Sequence, residues 1–181
     1  MAKTFLGRQD LPRGLRNNNA GNLTLTKIKW QGKILNEKNT DGRFEQFESV
    51  NLGLRAMAMD IINDIEKKKL NTLKTLITEY APPAENDTAA YINRVSKATG
   101  INPNEEIKIN AENLAAIIAA KIEVENGKII TKYINRADIV ESINLLPAVI
   151  LRRLKGAIIE NKNVILPLVA ILAATIIFLK K

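Results

Sequence analysis

Residues 110–127 read NAENLAAIIAAKIEVENG. Asn110 is a helix-capping residue type, and Asn126-Gly127 is a stop signal. Between them apolar residues fill most positions, so the spacing predicts a long apolar helix over Ala111–Val124, with Glu125 at its C-terminal end. Other helices surround this one in sequence. Ser49 starts a helix to about Lys69, where Leu52, Leu54, Ala56, Met59, Ile62 and Ile65 keep helical spacing. Thr72–Tyr80 forms the next, with Leu73, Leu76, Ile77 and Tyr80 on one side, and Pro82-Pro83 stops it. Glu85–Thr88 leads into a helix over Ala89–Ala98 that Gly100 ends. Beyond Gly127, a helix around Ala137–Ile159 is interrupted near Pro147 and carries Arg152, Arg153 and Lys155, a basic stripe suited to a membrane surface.

The two ends of the chain differ from this helical middle. Met1–Asn22 is polar and turn-rich. Leu23–Trp30 alternates apolar and polar residues, Lys38–Gly42 has turn chemistry, and Arg43–Phe47 alternates again, which predicts a β-hairpin. At the other end, Val164–Leu179 is a run of sixteen uncharged residues between Lys162 and Lys180. As a helix it would extend about 24 Å, slightly short of a hydrocarbon core, and terminal lysines could snorkel to make up the difference. The expected fold class is therefore mostly α, an α+β domain of helices with one β-hairpin, plus a C-terminal transmembrane helix. The expected divisions are a folded domain at 1–136, a basic amphipathic linker helix at 137–162 and a membrane anchor at 163–181.

Composition narrows the chemistry. The 181 residues include no cysteine and no histidine, which removes disulfides, Cys- or His-based metal sites, catalytic triads and imidazole bases. No metal or cofactor is expected. Any catalysis must rest on carboxylates, lysine, tyrosine or backbone dipoles. A net charge of +8 suits an anionic partner such as a cell-wall polymer, lipid headgroups or nucleic acid. Nucleic acid is the least expected of these, because aromatic residues are only 4% of the chain and stacking platforms are scarce.

Glu125 is the leading candidate for catalysis. A carboxyl can act as a general acid only if its surroundings keep it protonated, and the end of an apolar helix, where the dipole is negative, favours that form. The alternative is an ordinary exposed glutamate at a helix end.

Several motifs carry a resemblance. They are Arg13–Asn22 (RGLRNNNAGN), Trp30-Gln31-Gly32, Phe44–Phe47, Gly53–Ala56, Tyr80–Thr88 (YAPPAENDT), Tyr91 with Val95, and Val124–Gly127 (VENG). In this order the chain resembles bacteriophage virion-associated peptidoglycan-degrading proteins with a lysozyme-like, lytic-transglycosylase-type domain. One departure is Ala20, where that family usually has proline. The resemblance implies that Glu125 protonates a glycosidic oxygen of the wall polymer and then, as carboxylate, takes the proton of the sugar's own 6-hydroxyl. It also implies a circularly permuted order, with loop and hairpin first and the Glu-bearing helix last. Glu125 would then stand beside the Asn17–Asn22 loop. A hydrolase would need a second carboxylate, for which Glu45, Glu48, Glu37 and Asp41 are available. Glu45 is either that group facing a cleft or a solvated strand residue. Asn19 and Asn22 are either turn formers or amides for sugar hydroxyls and N-acetyl groups. Trp30, Tyr80 and Tyr91 either pack internally or line a glycan groove. The expected partners are peptidoglycan strands, a lipid membrane and other virion proteins. The expected location is a virion membrane or the host inner membrane.

Overall fold

The computed structural model describes residues 2–159. Among these, seven α-helices follow one another: α1 (Arg13–Arg16), α2 (Val50–Glu66), α3 (Leu73–Tyr80), α4 (Thr88–Thr99), α5 (Ala111–Asn126), α6 (Arg136–Asn144) and α7 (Ala148–Ile159). A helix apolar on most of its circumference needs neighbours on most sides. The apolar α5 has them, because α1, α2, α4, α6 and α7 all pack against it. Leu114, Ile117 and Ile118 are completely buried there, in the same core as Leu54, Leu73, Leu76, Ile77 and Val95. Side-chain caps fix where the helices begin. Ser49 caps α2, Thr72 forms a capping box with Thr75 on α3, Asp87 caps α4, and Asn110 accepts the Asn113 amide at 2.8 Å on α5. Gly100 closes α4 in the left-handed conformation.

Pro147 falls between α6 and α7, where its ring and missing N–H break the helix. Ile139, Ile143, Leu146, Ile150 and Leu154 from this region join the common core. Polar contacts fasten it as well: Lys3 to Asp138 at 2.8 Å, Arg55 to the Leu145 carbonyl at 2.9 Å, and Arg153 to Glu66 at 2.9 Å.

The expected α+β character is corrected by the backbone. Residues 23–47 do not form a hairpin ladder. They make only the isolated antiparallel bridges Thr24–Phe44 and Lys33–Phe47. The cause is competition from side chains. Glu45 N donates to Leu23 O and Leu25 N donates to Arg43 O, but the next amide, Thr26 N, turns to the Glu45 carboxylate at 2.9 Å. Asn19 Nδ2 donates to both Leu23 O and Glu45 O, each at 2.9 Å. The segment is thus held by polar side chains rather than by a sheet, and the α+β lysozyme-like layout in its circularly permuted form gives way to a helical domain. The expected transmembrane helix is corrected too. Residues 163–181 lie outside the described residues, and among the described residues no helix is long and apolar enough to cross a membrane. The longest, α2, has 17 residues and carries Arg55, Asp60 and Asp64.

Candidate active site

The asparagine-rich loop after α1 is mostly scaffold. Asn17, Asn18 and Asn19 are buried, and their amides cross-link distant segments. Asn18 accepts from Phe5 N and donates to Phe47 O, both at 2.8 Å. Asn17 donates to Asp41 at 2.8 Å and accepts from Gln46 at 3.0 Å. Asn18 and Asn22 both have positive φ, 52° and 50°, a region asparagine tolerates better than most side chains. Helix α2 presses on this loop through Gly53, where a Cβ would overlap the Asn18 carbonyl.

Asn22 has a different role. Its Nδ2 donates to Oε2 of Glu125 at 2.9 Å, across 103 residues of sequence. The next residue on α5, Asn126, locks this approach by donating to Ala20 O at 2.7 Å and to Ile122 O at 2.9 Å. Tyr91 of α4 donates its hydroxyl to Oε1 of Glu125 at 3.0 Å. Each oxygen of the Glu125 carboxyl group therefore receives one donor. Tyr91 in turn meets Tyr80 edge to face, with ring centroids 6.2 Å apart. Burial is the main reason both phenols are pushed well above their ordinary pKa, with the Glu125 charge adding to it, so they stay protonated donors.

Glu125 and Asn22 open onto a cleft of about 460 Å³. One wall is the loop carrying Leu23, Thr24, Thr26, Ile28 and Trp30, with Arg43 and Phe44. The other is Asp60, Asp64 and Lys68 of α2, then Glu79, Tyr80, Pro82, Glu85 and Asn86. Three polar atoms of lining residues, Asn22 Oδ1, Asp64 Oδ1 and Tyr80 Oη, are buried without a hydrogen-bond partner among the described residues, and of these Asp64 Oδ1 has the Lys68 ammonium 2.9 Å away. The first wall is braced from behind by Asp41, which accepts from Arg13 Nε at 2.7 Å and Nη2 at 2.6 Å. The Arg13 guanidinium lies 4.6 Å from the centre of the Phe44 ring.

The residues singled out from sequence thus divide. Glu125, Asn22, Trp30 and Tyr80 share the cleft, and Tyr91 stands directly behind Glu125. Asn19 and Glu45 are not in its lining. Glu45 is 0% exposed and accepts from Thr26 and from Lys33 Nζ at 2.8 Å. Of the other carboxylates named beside it, Asp41 is bound to Arg13, and Glu37 lines a separate groove with Lys27, Lys29 and Lys33.

Sequence reasoning missed Asp60 and Lys121. Asp60 lines the same cleft as Glu125. Burial pushes its pKa up, the Asp64 charge adds to this, and Lys121 and Lys68 oppose it. The available signal was a pair of acids, Asp60 and Asp64, four residues apart and flanked by the apolar residues Met59, Ile61, Ile62 and Ile65.

No family model matches the chain, so the resemblance to lysozyme-like proteins rests on its motifs alone. Protein P5 of Pseudoalteromonas phage PM2 is 39% identical to the chain over 118 residues, which cover 64% of this chain and 71% of that protein.

Proposed function

Because the chain belongs to the family of Protein P5 of Pseudoalteromonas phage PM2, we propose that it is a phage virion protein, and that its cleft cleaves the glycan strands of peptidoglycan with Glu125 as the reacting acid. The kinship supports the first half. The second half is carried by one observation: the Glu125 carboxyl group, held by Asn22 and Tyr91, faces a cleft whose lining includes unpartnered polar atoms. A polysaccharide rich in hydroxyl and N-acetyl groups suits a lining of carboxyl, amide and hydroxyl groups, to which Trp30 and Phe44 add aromatic surface.

The chemistry follows from these groups. Glu125 gives its proton to the glycosidic oxygen as that bond breaks, and the resulting carboxylate takes the proton of the 6-hydroxyl as that oxygen closes on the anomeric carbon. One carboxyl then serves as acid and base in turn. Asn22 fits both states. Its Nδ2 donates to the carboxylate, and with the amide turned over its free Oδ1 would accept from the protonated acid. Water in place of the 6-hydroxyl would make the reaction a hydrolysis, with Asp60 the second carboxyl in the same cleft.

Glu125→Gln in the full chain tests this. The variant should unfold at the wild-type temperature and release no soluble muropeptides from purified sacculi. Mass analysis of the wild-type products distinguishes the two outcomes, since an anhydro product is lighter by one water than a hydrolysed one. Wild-type protein inert on sacculi would reject the cleavage reading. The second reading is a non-catalytic structural component of the virion, which the kinship with a phage protein supports better than it supports cleavage.

A further inference from the structure

Helix α5 carries a charge where its neighbours are apolar. Lys121 is 1% exposed, between Ala120 at 7% and Ile122 at 3%. Its ammonium sits 3.2 Å from the centre of the Tyr80 ring and takes part in none of the ion pairs among the described residues. The aromatic face offsets part of the desolvation, but a methionine or leucine would fill the same space without a charge to bury. A lysine kept here calls for a reason other than packing.

Its surroundings supply one. Glu125 follows it by one turn on the same helix face. Asp60 and Asp64 attract it from α2, and Tyr80 receives it from α3, with Tyr91 of α4 on the edge of Tyr80. Lys68 and Glu79 complete the charged surroundings: Lys68 lies 2.9 Å from Asp64 and 3.1 Å from Glu79. Lys121 therefore acts on both Asp60 and Glu125, two of the carboxyls at the cleft, while lying outside the cleft lining itself.

We propose that Lys121 is a positioning residue: its buried ammonium, seated on Tyr80 one helical turn before Glu125, is the counter-charge of the cleft carboxyls that α2 and α5 bring together. Without it, Asp60, which burial and the Asp64 charge already push up, would lose the largest opposing charge. Burial pulls Lys121 down, the charges of Asp60, Glu125 and Asp64 partly offset it, and the balance is about 8, so its ammonium predominates near neutral pH and fades in mild alkali.

The kinetic part of this inference rests on the cleavage reading, but the electrostatic part does not, and the tests separate them. In full-length protein, carbon NMR of the side-chain carboxyls should show the Asp60 midpoint rising by about one pH unit in Lys121→Met. A midpoint that does not move would overturn the proposal. Should that variant fail to fold, the Lys121 Cε titration decides: from about 8 in the wild type it should fall in Glu125→Gln, and an unchanged value would overturn the proposal. On sacculi, Lys121→Met should lower kcat about tenfold at little change in KM, and move the acid limb of the pH profile upward, which a purely structural role would not do. An inert wild type would reject cleavage and leave the two NMR measurements to judge Lys121.

Discussion

Asp41→Asn tests how the cleft wall is held. The Asp41 side chain is only 4% exposed and accepts five hydrogen bonds. Oδ1 receives Arg13 Nη2 at 2.6 Å, Phe44 N at 2.9 Å and Arg43 N at 3.2 Å. Oδ2 receives Arg13 Nε at 2.7 Å and Asn17 Nδ2 at 2.8 Å. An asparagine can keep its oxygen at the Oδ1 position. Its NH2 then meets two donors, Arg13 Nε and Asn17 Nδ2, and both bonds are lost. At about 1.5 kcal/mol for each bond to a charged group, the loss is about 3 kcal/mol. The half-exposed Arg13 can recover water, which keeps the figure at that level rather than higher. For a chain of this size the melting temperature should fall by about 6–12 °C. The pH dependence has a fixed sign. The Arg13 guanidinium, with help from Asn17 and two backbone amides, holds the Asp41 carboxyl well below the usual carboxylate range. A folded-state pKa below the unfolded one stabilises at pH above the unfolded value and is lost as pH falls towards the folded one. The asparagine variant lacks this acid-labile contribution, so the gap between variant and wild type should narrow by about 1 kcal/mol on going from neutral pH to about pH 3. Thermal melts followed by circular dichroism at the two pH values measure both effects. A variant melting within about 2 °C of wild type at neutral pH, or a gap that does not shrink in acid, would refute the reasoning.

Two further substitutions probe the scaffold and the site. Gly53→Ala places a Cβ on the Asn18 carbonyl, backbone against backbone, so it should cost about 3 kcal/mol or more and lower the melting temperature by about 6 °C or more; a variant as stable as wild type would show that the α2–loop contact is looser than described. Tyr91→Phe keeps the ring edge on Tyr80 and removes only the hydroxyl that donates to Glu125 at 3.0 Å. Muropeptide release should fall about tenfold with stability changed by no more than about 1 kcal/mol, and unchanged release would place Tyr91 outside the catalytic machinery.

What could be read from the sequence, and what could not, depends on the range of the interactions. The helices were legible because their signals are local. Asn110 and the Glu-Asn-Gly end bracket α5, Ser49, Thr72 and Asp87 mark three starts, and Pro147 breaks the helix between α6 and α7. The alternation in Leu23–Trp30 is equally local, yet it misled. Whether it becomes a ladder depends on Asn19 and Glu45, and on Lys33 drawing Glu45 into the interior. None of those pairings is visible in periodicity. The site shows the same limit. The end of an apolar helix pointed to Glu125, and its meeting with Asn22 spans 103 residues. Lys121 and Asp60 stayed hidden because a single charge within a helix reads as an exposed face. The burial of Lys121 is decided by Tyr80, and its charge is balanced by acids on α2 and its own helix, a three-helix arrangement that leaves no pattern along the chain. A charge inside an apolar helix is therefore worth pairing with opposite charges inside other apolar helices before it is assigned to the surface. Here that search would have joined Lys121 to Asp60 and Asp64, and placed a second carboxyl near Glu125 before any coordinates were known.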